Sequence, residues 1–382
     1  DLLLSASYSD LNEDADVYLG DRQFYIYTAT WKQGNSGFSW NNGTSASLTY
    51  SQSGINPVLD YIHRKEWSAS LRGSFFNKLI STDLTFFNTR MTGYITQNPT
   101  SYPSFLSTGL NGSSFKPAIN NDETLRRGLD FSVTAQKQFG KVHAKLGIVG
   151  TYLTTKQQKK DELHDEDYQY AEGRALDAIW GYKCLGFYTE GDFDIKVDDS
   201  GKKTYQLKEG MPKSVLGGNI QPGDLKYEDI NKDGTINNRD QVDLGKSGTF
   251  GAPLTLGFNL TLKYKNFTLF MLGNGQFGAY GMKNNGYYYM SGESKYSVNA
   301  RGRWTPDTSG TATHPRLTTL SHNHNGTSSP FWMYSTDRFN LRKVQLTYDF
   351  PSEIVAGKVV KALSVYLNGN DLLTFAKERK LM

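Results

Sequence analysis

LTLGFNLTLKY, residues 254–264, alternates without a break. Leu254, Leu256, Phe258, Leu260, Leu262 and Tyr264 fall on one face of an extended chain, and Thr255, Gly257, Asn259, Thr261 and Lys263 on the other. Successive side chains of a strand point to opposite sides, so this strand has one apolar side and one polar side. Its length matches the roughly 9–11 residues that a tilted strand needs to cross a bilayer. The chain turns at Lys265-Asn266 and resumes as FTLFMLGNG. One face suited to lipid and one suited to water predict a wall strand of an all-β, antiparallel transmembrane β-barrel.

The same alternation recurs outward from this stretch, at 2–8, 22–32, 45–51, 66–76, 81–93, 128–138, 142–154, 267–273, 338–349 and 362–370. In 66–76, Trp67, Ala69, Leu71 and Phe75 oppose Ser68, Ser70, Arg72 and Ser74. In 128–138, Leu129, Phe131, Val133 and Ala135 oppose Asp130, Ser132, Thr134 and Gln136. Tight turns are expected at Asn77-Lys78, Phe139-Gly140 and Lys265-Asn266. Between them run the long connections 94–127, 155–253 and 274–337. Short turns on one side and long loops on the other are a feature of outer-membrane barrels, whereas a soluble sandwich spaces its turns more evenly. A brief helix is expected within 350–361, on the short-turn side. The count of alternating segments is odd where such barrels use even numbers, the chain opens almost at once into the strand-like LLLSASY and it ends abruptly at Lys380-Leu381-Met382, so a piece of a longer protein is expected.

Composition agrees with a barrel. Only 37% of the 382 residues are hydrophobic, as expected when alternate strand residues and long loops face water. No run of about 18 apolar residues exists, which argues against spanning helices. Aromatic content is 13%, with 24 Tyr and 21 Phe, enough for interfacial girdles. The net charge of +4 comes from scattered Lys and Arg with no basic stripe, so no nucleic-acid partner is expected. The single cysteine, Cys184, excludes an intrachain disulfide framework and has no neighbouring base. No nucleophile elbow, phosphate loop or dinucleotide fingerprint is present, and no enzyme activity is expected.

Long loops of this size carry function more often than mere connection. In the region 155–253, residues 229–240 read DINKDGTINNRD. Asp229, Asn231, Asp233, Gly234, Thr235 and Asp240 stand at positions 1, 3, 5, 6, 7 and 12 of an EF-hand-like calcium loop. Oxygen side chains at alternate positions converge on one cation, Gly234 permits the sharp turn, Thr235 offers its carbonyl, and Ile236 packs underneath. Asp240 replaces the usual Glu, and Asn237 stands at position 9. A structural Ca2+ is the expected ligand; the alternative is an Asx-rich turn that holds itself together. A small hairpin is expected over 196–209, and the charged stretch 157–168 is expected to be mobile.

Around this motif the sequence resembles a known family. QPGDLKYEDINKDGTINNRDQVDLG followed by LGFNLTLKYKNFTLFMLGNGQFG looks like outer-membrane nutrient transporters of the SusC/RagA type. GLDFSVTAQ, RWTPDTSGTATHPRL, FNLRKVQLTYDFP and LSVYLNGNDLLTFAK agree with that family in order. The resemblance covers essentially the whole chain and is most specific over 220–275 and 300–377. It implies that residues 1–382 are the C-terminal part of a TonB-dependent barrel of roughly 22 strands, with the plug domain and the final strand outside this chain. It further implies import of oligosaccharides or peptides across the outer membrane of Bacteroidota, a SusD-like surface lipoprotein lid, contact with TonB through the plug, and a dimer of transporter–lid pairs. A passive porin or adhesin, or a secreted calcium-binding β-sandwich that binds glycans, would share parts of the pattern.

Loop aromatics are the candidate substrate contacts. Trp180, Tyr287, Tyr288, Tyr289, Trp304, Trp332 and Tyr334 offer rings that stack on sugars or pack on peptide side chains, although loop packing also uses such rings. Asp307 and Glu293 are possible hydroxyl acceptors. His314, His322 and His324 lie close in a polar loop and are expected to be solvated rather than metal-bound. The clustered acids Asp161, Glu162, Asp165, Glu166 and Asp167 are expected to be solvated rather than a catalytic pair.

Overall fold

The computed structural model describes residues 1–13, 31–33, 38–40, 44–46, 50–52, 54–97, 99–107, 115–290, 297–318, 324–355 and 360–378. Among these, nine strands form one antiparallel sheet: β1 (Leu2–Glu13), β2 (Ile62–Phe75), β3 (Ile80–Thr96), β4 (Ile119–Phe139), β5 (Val142–Lys159), β6 (Leu254–Tyr264), β7 (Phe267–Phe277), β8 (Arg338–Asp349) and β9 (Ser364–Ala376). Each pairs with the next in chain order, with β1 and β9 at the two edges. No helix among the described residues is long and apolar enough to cross a membrane.

The register turns the sequence alternation into two continuous surfaces. One row crosses all nine strands as Leu4, Leu71, Leu84, Phe131, Gly150, Leu256, Gly275, Phe339 and Phe375. One residue further along, on the opposite face, the row is Ser5, Ser70, Thr85, Asp130, Thr151, Thr255, Gln276, Arg338 and Ala376. Because the strand period is two, a slip of one residue would exchange the faces, so the apolar pattern pins the register. Polar cross-strand pairs hold the second face, including Ser70 with Thr85 at 2.8 Å and the Thr151 hydroxyl donating to Asp130 at 2.6 Å. Leu4 is 71% exposed, and among the described residues no second sheet packs over Leu71, Phe131 and Leu256, as for a lipid-facing surface rather than half of a sandwich core.

Aromatic rings cluster at both ends of the apolar face. Phe75, Tyr264, Phe267 and Tyr348 lie beside the short turns, with Phe267 and Tyr348 centroids 4.8 Å apart. Tyr8, Trp67 and Tyr152 lie toward the long loops. This matches the interfacial girdles expected for a barrel wall.

The connections alternate strictly. Residues 76–79, 140–141, 265–266 and 350–363 join strands on one rim, and 14–61, 97–118, 160–253 and 278–337 on the other. The tight turns use left-handed backbone, with Phe76, Asn77 and Lys78 at φ 53°, 55° and 65° and Gly140 at φ 57°. The expected helix is Ser352–Val355.

Among the described residues, neither 22–32 nor 45–51 contributes a strand to the nine-strand sheet. β1 pairs directly with β2, so 22–32 and 45–51 fall inside the first long connection. Their described parts enter short pairs, Trp31–Gln33 with Tyr50–Gln52 and Phe38–Trp40 with Thr44–Ala46, and the rest lies outside the described residues. Segment 45–51 is short and Ser-rich, whereas 22–32 contains no Ser or Asn and is as long as β6, so alternation alone does not distinguish a wall strand from a loop hairpin. Conversely, β4 starts at Ile119 and β5 runs to Lys159, well beyond 128–138 and 142–154, because the outer ends of long barrel strands carry polar residues on both faces.

Candidate functional site

The long connections 160–253 and 278–337 build a common core above the wall. Tyr182, Leu225, Tyr227, Ile236 and Trp332 form one buried cluster, and Tyr188, Phe193 and Ile220 a second. The expected hairpin is Phe193–Val197 with Lys203–Leu207, its turn held by Asp198 accepting from the amides of Ser200 and Lys202. The stretch 157–168 is tied down rather than loose: Tyr168 donates to the Arg239 carbonyl at 2.7 Å and Asp165 pairs with Arg239 at 2.7 Å. The acidic run there is structural too. Glu162 accepts from the Ala171 amide at 2.6 Å, and Asp161 holds the amide and hydroxyl of Thr100.

A buried polar lock joins the two loops. Asp224 is fully buried; its Oδ1 accepts from Asn325 Nδ2 at 2.8 Å and its Oδ2 from Arg316 Nη2 at 3.2 Å. Arg316 Nε lies 2.8 Å from Oδ1, an ion-pair contact outside hydrogen-bonding angle. His324, also fully buried, sits 2.6 Å from the Leu225 carbonyl through Nε2 and 2.9 Å from Ser214 Oγ through Nδ1. The carbonyl contact makes Nε2 the donor and Nδ1 the acceptor. His324 is therefore a core group and not a solvated loop histidine; His322 lies outside the described residues. The His314 imidazole is held below its ordinary value by burial and by nearby Lys283. Burial pushes the Cys184 thiol up and the Tyr188 hydroxyl to about 12, the latter aided by Asp192 and Asp224. A raised thiol is a poor nucleophile, in keeping with an inert Cys184.

The 229–240 loop hangs from this core by Ile236, which is fully buried, and by a two-residue parallel bridge of Thr235–Ile236 with Lys213–Ser214. Gly234 at φ 82° and Lys232 at φ 60° make the sharp turn. Asp229 Oδ2 accepts from the Gly234 amide at 2.8 Å, Asn231 Oδ1 from Asp233 at 3.1 Å, and Asp233 Oδ1 from Thr235 at 2.8 Å. Asp240, fully buried, accepts from Ile230 through Oδ1 and from Asn237 through Oδ2, both at 2.8 Å. Asp240 thus staples the loop closed with both oxygens, where the motif has a bidentate ligand. Asp229 Oδ1 is different: it is buried with no hydrogen-bond partner. An orphaned carboxylate oxygen in the interior calls for a partner, and a hard cation supplies one. Among the described residues no three His, Cys, Asp or Glu side chains form a metal cluster, so a cation here would draw on Asn231 and the Thr235 carbonyl as well as Asp229 and Asp233. The Tyr168 hydroxyl is raised by burial, then by Glu166, Asp240, Asp229 and Asp233, a measure of the negative potential around the loop.

The candidate substrate aromatics divide by burial. Trp332 and Trp304 are 1% and 7% exposed, so their rings are spent on packing: Trp332 donates to the Asn325 carbonyl at 2.7 Å, and Trp304 covers Gly223, whose φ of 90° leaves no room for a side chain. Trp304 and Trp332 are core residues, which corrects the expectation that they face a substrate. Tyr288 and Tyr289 pack partly on the loop core, Tyr334 is half-buried over Gly281, and Tyr287 is exposed. Trp180 stands half-buried in the short strand Ala178–Tyr182. Asp307 is exposed, and Glu293 lies outside the described residues.

The alternation also places a group that sequence reasoning did not single out. On the polar face near the long-loop rim, a cavity of about 630 Å³ is lined by Arg64, Glu66, Thr89, Tyr94, Arg126 and Asp130, among others. Arg64 pairs with Glu66 at 2.9 Å. Parity counted outward along β2–β4 would have found them, since Arg64, Glu66, Arg126 and Asp130 continue the polar face.

Comparison with known proteins agrees with this picture. No family model matches the chain. Over 209 residues it is 29% identical to TonB-dependent receptor P26 of Formosa agariphila, covering 54% of this chain and 19% of that protein. Over 204 residues it is 23% identical to TonB-dependent receptor P3 of the same organism, covering 53% and 18%. The aligned stretch spans about a fifth of the length of these relatives. Solved structures of the RagAB peptide importer superpose on 99% of the chain: the closed-closed state with TM-score 0.64 at 18% identity, and the open-open state with 0.65 at 16%, covering 38% and 37% of those chains. The fold is shared with part of those importer chains, and the sequence relatives are TonB-dependent receptors by name, in keeping with the resemblance read from the motifs.

Proposed function

We propose that this chain is the wall and outer-loop portion of an energy-coupled, TonB-dependent importer of the outer membrane. The observation that carries the reading is the two-faced nine-strand sheet whose long connections all leave one rim. The apolar face meets lipid, the polar face lines a lumen, and the loop core stands over its mouth. Further strands complete the barrel, because open sheet edges are not tolerated in lipid.

In this reading the cargo is an oligosaccharide or a peptide, and nothing is done to its bonds. A SusD-like surface lipoprotein closes on the loops and traps cargo against them. TonB then pulls on the plug supplied by the rest of the protein, and cargo passes along the polar face. Tyr287 is the exposed aromatic best placed for contact, with Tyr288, Tyr289 and Tyr334 behind it. The charged cavity around Arg64, Glu66, Arg126 and Asp130 favours a zwitterionic peptide over a neutral glycan. Asp229, Asn231 and Asp233 with the Thr235 carbonyl hold a structural Ca2+ that clips the longest loop; Asp240 shapes that site from behind. When bound, the ion supplies positive charge to the orphaned Asp229 oxygen and takes no part in transport chemistry.

Uptake by cells that carry or lack the gene tests this reading, using a labelled pool of short peptides and a labelled polysaccharide hydrolysate. Gene-dependent uptake abolished by a protonophore is expected. Gene-dependent uptake indifferent to the protonophore would leave a passive pore.

A further inference from the structure

We propose that the outer rim of the wall holds a binding site for a phosphate-bearing lipid headgroup of the outer leaflet. The proposal rests on the outer-membrane placement of the sheet. On the lipid-facing side of β4, Ala135, Val133, Phe131 and Leu129 give way to Arg127; on β5, Tyr152 gives way to Thr154 and then Lys156. Charge thus begins with Arg127 in the register row of Tyr8 and Trp67, one row above Tyr152, at headgroup level.

At that height the longest loop folds back over the strands. The Gly173 amide donates to the Gln157 carbonyl and the Gln157 amide to the Arg174 carbonyl, both at 2.8 Å, while Lys246 is set by pairing with Ala178. The loop and the two strands enclose a cavity of about 350 Å³ lined by Arg127, Lys156, Arg174 and Lys246. The one acid on its wall, Asp243, already accepts from the Gly245 amide at 3.0 Å. Among the described residues none of the four cations lies within ion-pair distance of a carboxylate. Four cations against one carboxylate leave the cavity with an excess of positive charge, which a multi-oxygen anion relieves; the guanidinium groups suit phosphate oxygens in particular.

A second feature points to a lipid as the source of the phosphate. One row lower and to the β1 side of the cationic cavity, an apolar groove of about 530 Å³ lies over β1–β3, running over Ala6 and Ala69 between Leu4, Leu71 and Phe86 and reaching β4 at Leu129. Leu129 is two residues along β4 from Arg127, roughly 7 Å. The row Ala6, Ala69, Phe86, Leu129 lies directly beneath the row Tyr8, Trp67, Asn88, Arg127. A cationic pocket diagonally above an apolar slot, the two approaching at Arg127 and Leu129, matches the headgroup and an acyl chain of one molecule, whereas free phosphate would use the pocket alone.

The test uses the full-length protein in phosphatidylcholine nanodiscs, with native mass spectrometry counting bound lipid A and its dephosphorylated analogue. The wild type is expected to retain the phosphorylated form at least about tenfold better than the analogue. The double variant Arg127→Gln/Lys156→Gln is expected to lose that preference, and the charge-keeping Arg127→Lys/Lys156→Arg to retain most of it. Heat-modified gel migration confirms that each variant is folded. Equal retention of the two lipids by the wild type, or an undiminished preference in the double glutamine variant, would overturn the proposal. Displacement of lipid A by millimolar inorganic phosphate would assign the pocket to the free ion and also overturn it. The readout needs no cargo, so failure of the importer reading in uptake leaves this result intact, whereas a protein that refuses the bilayer sinks both.

Discussion

The Asp229 carboxylate grips the Gly234 amide with Oδ2 at 2.8 Å and leaves Oδ1 buried without a partner. The geometry of the loop is complete apart from that one oxygen. Asp229→Asn is therefore expected to keep the fold but weaken Ca2+ binding by at least about tenfold, since ligand charge sets affinity in such loops. Calorimetric titration of Ca2+ measures this directly. Limited proteolysis within 160–253 should be slower with Ca2+ than with a chelator in the wild type, and indifferent in the variant.

The two faces of β6 predict opposite tolerance to charge. Leu260 lies on the apolar face and Thr261 on the polar one. Leu260→Arg is expected to destabilise the membrane-inserted fold by about 2–4 kcal/mol, while Thr261→Arg stays near neutral. Unfolding titrations in liposomes compare the two. Equal costs would mean that the face assignment is wrong.

Asp224 and Arg316 predict a large penalty from a small change. Removing one partner of a buried, hydrogen-bonded pair typically costs about 3–5 kcal/mol, because the other charge is left uncompensated. Arg316 keeps only 17% exposure and Asp224 none. Asp224→Ala should loosen the seam between 160–253 and 278–337, seen as faster hydrogen exchange at Leu225 and Asn325 with the wall strands unchanged.

His314 gives a pH dependence with a definite sign. Its imidazole is held below the ordinary 6.5 by burial first and by Lys283 second. A histidine with a depressed folded-state value contributes stability that is full above 6.5 and is lost as pH falls through its folded value. The loop around 302–316 should therefore show smaller hydrogen-exchange protection factors, after correction for the intrinsic rate, at pH 5 than at pH 7.5. Lys283→Gln should move the His314 titration, followed by NMR, back toward 6.5.

The wall was legible in the sequence because its physics is local. Lipid on one side and water on the other impose a period of two, and Leu254 to Tyr264 shows it without interruption. The alternating connection lengths followed from the same pattern. Segments 22–32 and 45–51 misled because a loop hairpin also alternates, and nothing local says whether a strand reaches the sheet. The loop core was harder. Asp224, Arg316, Asn325 and His324 meet across about a hundred residues of chain, at separations of 101 for Asn325 and 99 for the Leu225–His324 contact. No short-range spacing marks such a meeting, so His324 read as a solvated loop residue, and Trp332 could not be separated from the rings open to substrate contact. The calcium motif was legible because its ligands sit within twelve consecutive positions, yet the stapling role of Asp240 needed the folded loop.

The most direct test is purification of the full-length protein from native outer membranes in mild detergent, with co-purifying proteins and small ligands identified by mass spectrometry. The account predicts a surface lipoprotein in stoichiometric amount and a bound peptide or glycan. A lone pore-forming barrel that brings neither would contradict it.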